Sequence, residues 1–262
     1  VYAVNNVDVT SQQQVVVNQS LASGGNLAVS AKQLVNRGVI EAGAVSTGNG
    51  SNNNAKLTLA AGEVDNRGQS IVSRGSLEID TGTLQNQQGK IVASTDARVD
   101  AEAVHNQQAT LAADGRLNVT AKSLDNRQGN VIGQQGLTLT GTAIDNSSQG
   151  LIYSEKGDIA IQADTVDNKL GSIAGQNLVA GVKTLDNQLG LIEAAQRIDY
   201  EGESLLNGYG VIHALGKQNS RISLSGLLDN EQGKLGVNSA AFTLEAALID
   251  NTDGEIQHMG DK

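Results

Sequence analysis

The stretch Leu124-Asp125-Asn126-Arg127-Gln128-Gly129-Asn130-Val131-Ile132-Gly133-Gln134-Gln135-Gly136-Leu137-Thr138-Leu139-Thr140 is one complete unit, and the rest of the chain is built from imperfect copies of it. Its marker is an aliphatic residue, any residue, then Asn. In chain order the marker asparagines are Asn18, Asn36, Asn66, Asn86, Asn106, Asn126, Asn146, Asn168, Asn187, Asn207, Asn230 and Asn251, with successive spacings of 18, 30, 20, 20, 20, 20, 22, 19, 20, 23 and 21. A fixed period of this size signals a stacked repeat architecture and outranks any local reading.

Within a unit the apolar residues alternate with period two, which is strand geometry, and no window sustains a helical period. Three short strands fit each unit: one after the glycine, as in Asn130–Gly133; one such as Leu137–Leu139; and the marker itself. Strands this short have no partner inside their own unit, so each pairs with its equivalent one unit along. The expected fold is therefore all-β, a parallel β-helix (solenoid) of about twelve coils with a period near 20 residues. Coils about 4.8 Å apart give a rod of roughly 55 to 60 Å, with each coil touching only its neighbours.

Composition agrees with a thin core. Aromatic residues make up 2% of the 262 residues, Pro and Cys are absent, and Gly numbers 31. A narrow interior of Val, Leu, Ile and Ala needs no bulky rings to fill it. The formal net charge of −10 argues against a nucleic acid as the main partner, since binding phosphate needs a basic surface. The same charge disfavours anionic membranes. Disulfides and thiolate metal sites are excluded with cysteine. No run of about 18 apolar residues exists, so no membrane-spanning helix is expected. The chain starts without Met and reads as a piece of a longer protein, a single β-helical segment over 1–262 that continues beyond both ends.

Alternation assigns roles inside the unit. Leu124 points inward, Asp125 outward and Asn126 inward, where a buried amide needs partners. Stacked one coil apart, Asn66, Asn86, Asn106, Asn126, Asn146, Asn168, Asn187, Asn207, Asn230 and Asn251 are expected to form a structural ladder, amide to amide along the axis. Glycine recurs three residues after the marker at Gly89, Gly129, Gly171, Gly190, Gly210, Gly233 and Gly254, interrupted by Gln69 and Ala109. A tight corner at positive φ is the expected cause. Residues 1–17 read as a divergent first coil and 43–54 as a surface loop insertion.

The motif L-D-N-x-x-G-x-I at Leu124 to Val131, Leu185 to Ile192 and Leu228 to Leu235, followed by L-x-L, resembles the haemagglutinin repeat of large Gram-negative two-partner-secretion exoproteins. That group includes filamentous haemagglutinin and the contact-dependent growth inhibition effectors. The resemblance runs from about Asn18 to Asn251; Val35, Leu206 and His105 depart from it by replacing the usual Asp. It implies a right-handed β-helical rod, exported through an outer-membrane transporter partner and displayed at the cell surface, in which such repeats form a stalk.

Two outward columns remain as candidate sites. One is apolar: Val72, Val92, Ala112, Ile132, Tyr153 and Ala174, of which Val92, Ile132 and Tyr153 form the candidate partner-binding face for a receptor or glycan. The bland alternative is ordinary packing of like side chains along a sheet. The other column is acidic: Asp65, Asp125, Asp145, Asp167, Asp186, Asp229 and Asp250. Neighbouring Arg67, Arg127 and Lys169, water or a cation must relieve its repulsion. The Gly- and Asp-rich nonapeptide of calcium-binding β-rolls is absent. His105, His213 and His258 fall at different repeat positions with no nucleophile or dinucleotide motif beside them. Hence no catalytic, cofactor-binding or metal residues are expected. The leading reading is a non-enzymatic stalk, ahead of an adhesive module and a polysaccharide-degrading enzyme.

Overall fold

The computed structural model describes residues 1–44 and 54–260 and contains strands but no helix among them. Every strand pairing is parallel, and each joins a strand to its counterpart one coil away. The chain is a parallel β-solenoid of about twelve turns with three faces. On the first face lie strands such as Ser70–Ser73, Lys90–Ala93, Thr110–Ala113 and Asn130–Gly133. On the second face Leu77, Ala97, Leu117, Leu137 and Ile159 stack in register. On the third, Leu84, Val104, Leu124, Ile144 and Val166 do the same.

The second and third strands of a unit merge where two separate elements were expected. Leu77–Gln85, Ala97–His105 and Arg116–Asp125 each run unbroken across two faces. The corner between these faces is a bend of extended chain, marked only by a skipped pair at Gly82 and Glu102, so no turn chemistry announces it. Ser172–Asp186 spans all three faces.

Irregular coil lengths are absorbed at corners. Between the coils of Asn146 and Asn168, the corner at Ser147–Gly150 takes one extra residue; Ser148 and Gln149 both adopt positive φ, of 57° and 73°. The strands on either side stay in register: Val131 pairs with Ile152, and Leu137 with Ile159. A one-residue slip within a face would turn its apolar set outward, and that constraint confines drift to the corners.

Buried aliphatics from all three faces make one continuous core, including Ile71, Leu84, Ile91, Leu111, Leu117 and Val131, each fully buried. Burying each such side chain contributes about 1.5–3 kcal/mol. Tyr200 is the exception among them, a buried ring whose hydroxyl donates to the Val182 and Ser204 carbonyls at 2.9 and 3.1 Å. Burial pushes its phenol well above its ordinary value.

Within residues 1–17, Tyr2–Ala3, Val7–Thr10 and Gln14–Val17 pair with Ser20–Ser23 and the two halves of Leu27–Asn36. This register puts Val17 opposite Asn36 and leaves Asn18 exposed at the corner. Asn18 is therefore not a marker: spacing alone counted it, but a valine fills the inward position of that coil. Of the expected insertion at 43–54, residues 45–53 lie outside the described residues.

Candidate functional site

The inward asparagines form a file of side-chain hydrogen bonds. The Nδ2 of Asn36 donates to Oδ1 of Asn66 at 2.8 Å, and Asn66 donates likewise to Asn86. The file continues through Asn106, Asn126, Asn146, Asn168, Asn187, Asn207 and Asn230 to Asn251, at 2.6–2.8 Å. All donations run in one direction along the axis. Most of these amides also lie within hydrogen-bond reach of two backbone carbonyls. Asn126, for example, donates to Gly129 and Leu151, both at 3.1 Å. The asparagines from Asn66 to Asn230 are completely buried, so this sharing answers the demand that buried polar groups be partnered.

The glycine column has a different cause from the one expected. Positive φ falls on the residue before the column position: Gln88, Gln108, Gln128, Leu170, Leu189, Tyr209, Gln232 and Asp253, at 53–58°. The glycine itself lies against the asparagine file. A Cβ at Gly129 would stand 2.1 Å from the Asn106 carbonyl oxygen and 2.6 Å from Asn126 Oδ1. Close approach of the backbone to the amides therefore selects glycine. Of the two exceptions, Gln69 keeps both bonds of the corner, at 3.0 and 3.1 Å, whereas at Ala109 the N–H reaches the Asn106 carbonyl at 3.3 Å and the Asn106 amide reaches the Ala109 carbonyl at 3.5 Å. The same two bonds at Gly129 are 2.9 and 3.1 Å.

The acidic column is the outer side of the same corner. Oδ1 of Asp65, Asp125, Asp145, Asp167, Asp186, Asp229 and Asp250 each accepts the backbone N–H two residues on, at 2.9–3.3 Å. This is an Asx turn that closes the corner locally. Cations bridge successive coils. Arg127 meets Asp125 at 2.6 Å and Asp145 at 3.4 Å, while Lys169 meets Asp186 at 2.8 Å. The hydrogen bond from Arg67 holds Asp65 below the usual carboxylate range. For Asp125, burial is the largest single influence and pulls upward, and the hydrogen bonds and charge of Arg127 together with the Gln107 hydrogen bond outweigh it, so that the net shift is also downward.

The apolar column stacks as one line on the first face: Val72, Val92, Ala112, Ile132, Tyr153 and Ala174 occupy paired positions in successive coils. Each is half-buried by its neighbours. Glu41 precedes the line, and Glu193 and His213 follow it. Beside its lower end stands an apolar set that column counting missed. Leu170, Leu189 and Tyr209, the left-handed corner residues of three successive coils, are 55%, 58% and 56% exposed. On the adjoining strand positions of the same three coils lie Ser172, Leu191 and Val211. The available signal was the position before the column glycine, which is Gln in most other coils and bulky and apolar only in these three.

A concavity of about 690 Å³ runs along the corner between the second and third faces over Gly141, Gly181 and Gly202. Asp164, Lys183, Glu201 and Glu203 line it, with Lys183 paired to Asp164 at 2.6 Å. None of the three histidines is there. His105 lies on the third face, His213 follows the apolar column, and His258 bonds to the Ser239 carbonyl at 2.7 Å. Among the described residues no cluster of three His, Asp or Glu is placed to hold a metal ion, and no helix is long and apolar enough to cross a membrane.

No curated protein and no solved structure matches the chain. The sequence profile of the haemagglutinin repeat does match, over residues 2–53, 22–103, 93–163 and 161–261. With parallel coils of near-constant length beneath those matches, the chain belongs to the haemagglutinin repeat family.

Proposed function

We propose that this chain is a non-enzymatic stalk segment of a secreted exoprotein, an adhesin or a contact-dependent growth inhibition toxin, at the surface of a Gram-negative cell. In this reading the rod projects a binding or toxic region away from the cell, after export through an outer-membrane transporter partner. One observation carries it: hydrogen bonding along the axis is continuous from coil to coil, both in the backbone and in the asparagine file. Such a body transmits position over a distance without changing shape. The family membership supports the export route and the surface location.

A second reading makes the segment itself the adhesive module, recognising a receptor or glycan through Val92, Ile132 and Tyr153. It is favoured by the register that sets these side chains in one outward line. Binding of purified 1–262 to intact cells and to a glycan array separates the two. The stalk reading expects no saturable binding. Saturable binding that is lost in Ile132→Ser/Tyr153→Ser, with the circular dichroism unchanged, would replace it with the module.

A further inference from the structure

We propose that the corner at Asn106, residues 105–109, with the Asn86 corner stacked on it, is a built-in yield point, where neighbouring coils part locally before they do at any other corner from Asn66 to Asn230. The inference goes beyond the projecting role and does not depend on it. Elsewhere two devices close a corner: the aspartate whose Oδ1 accepts the N–H two residues on, and the glycine that lets the backbone approach the asparagine file. Losing one of them is tolerated. Gln69 replaces the glycine, yet Asp65 keeps its turn and its 2.6 Å pair with Arg67, and the corner bonds stay at 3.0 and 3.1 Å. Leu206 replaces the aspartate, yet Gly210 keeps bonds of 2.9 and 3.3 Å with Asn207. At Asn106 both devices are missing, since His105 stands for the aspartate and Ala109 for the glycine; the corner before it lacks the aspartate as well, at Gln85.

The substitutes are imperfect. In place of the turn, Gln87 donates its Nε2 to Gln85 Oε1 at 2.9 Å, and Gln107 donates its Nε2 to Asp125 Oδ2 at 2.5 Å. Each arrangement leaves the Oε1 of that glutamine buried without a hydrogen-bond partner. A buried acceptor with no donor has given up its water for nothing, and parting the corner restores it. Asn106 holds its own corner loosely too, meeting the Ala109 carbonyl at 3.5 Å where Asn126 meets that of Gly129 at 3.1 Å. The glutamines carry no charge, so these corners lack the ion pairs that Arg67, Arg127 and Lys169 make on either side. Their remaining links, Gln88 to Gln108 and Gln108 to Gln128 at 3.1 and 2.7 Å, are exposed, where water competes for the same groups.

The weakness is confined. The asparagine file passes through at 2.7 Å on both sides of Asn106, and Ala97 keeps its register with Leu77 and Leu117 on the second face. A corner that parts and recloses while the second face stays paired gives the rod a set place to flex without coming apart.

Native-state hydrogen exchange read by mass spectrometry at pH 7 tests it. After correction for intrinsic rates, the amides of residues 86–90 and 106–110 should exchange at least about tenfold faster than those of 168–172 and 187–191, whose backbone bonds follow the same pattern. Gln85→Asn/His105→Asn/Ala109→Gly supplies both turns and the glycine without adding charge. It should slow the first pair of segments at least about fivefold and leave the second pair unchanged. Equal exchange in the two pairs of the native chain overturns the proposal, as does a variant in which 86–90 and 106–110 exchange as before. A slowing shared by all four segments also overturns it, because that reports the stability of the whole rod and not a local opening.

Discussion

Asn126 is held by four hydrogen-bonding relations at once: it accepts from Asn106, and it donates to Asn146, Gly129 and Leu151. Asn126→Ala removes the acceptor of the Asn106 amide and the donor to Asn146 Oδ1, breaking the buried file on both sides, while the Gly129 carbonyl keeps its bond from the Leu151 N–H. Each unmet group costs about 1–3 kcal/mol before relaxation. The expected loss is about 3–5 kcal/mol, read as a lowered urea midpoint. Gly129→Ala drives a methyl toward the Asn106 carbonyl and should cost more than about 2 kcal/mol. Ala109→Gly, where the strand has already given way, should stay within about 1 kcal/mol. If the two glycine-column substitutions shift the midpoint equally, close approach is not what selects glycine. Sequence carried the inward placement of these residues through period two alone. It did not carry the left-handed residue, because φ at a corner follows from the path between two strands. Gln and Leu at that position give no sign of it.

The corner between the third and first faces is the element where charge and backbone meet. Asp65 and Asp125 titrate below their ordinary value of 3.8 in the folded chain. A depressed carboxylate stabilises the fold above its unfolded value, and that stabilisation disappears as pH falls through the folded value. The urea midpoint should therefore be level from pH 7 to about 5 and fall below about 4. Asp65→Asn/Asp125→Asn keeps the side-chain oxygen that accepts the backbone N–H and removes only the charge. It should flatten that fall; an equally steep loss would place the acid sensitivity elsewhere. At this scale the candidate surfaces were only partly legible. Recurrence drew attention to Asp and to the Val92–Tyr153 line. The exposed edge at Leu170, Leu189 and Tyr209 escaped notice because it departs from the recurring residue, and a reading built on repetition passes over departures.

Along the whole molecule, the fold class was legible because one number, the spacing near twenty, fixes the register on all three faces together. Deletion of residues 107–126 joins Asn106 to Arg127 and removes one coil while preserving every alignment. The shortened chain should keep its β-sheet circular dichroism and a cooperative melt, with stability lower by about one coil's share. Deletion of 107–116 leaves half a coil and should abolish the cooperative melt. Should both variants behave alike, register is not what holds the stack together.

The inter-coil hydrogen bonds all point along the axis, so they also determine how the rod yields to a pull. Tension applied at the two ends loads one seam between coils at a time. When a seam opens, a twenty-residue coil goes from a step of about 4.8 Å to an extended length of about 68 Å. Force spectroscopy should therefore record a staircase with treads of about 65 Å, slightly uneven where coils hold 19, 21, 22 or 23 residues and about half as long again for the 30-residue unit between Asn36 and Asn66. The repeat spacing then becomes a scale of length engraved in the chain, readable by hand-over-hand extension.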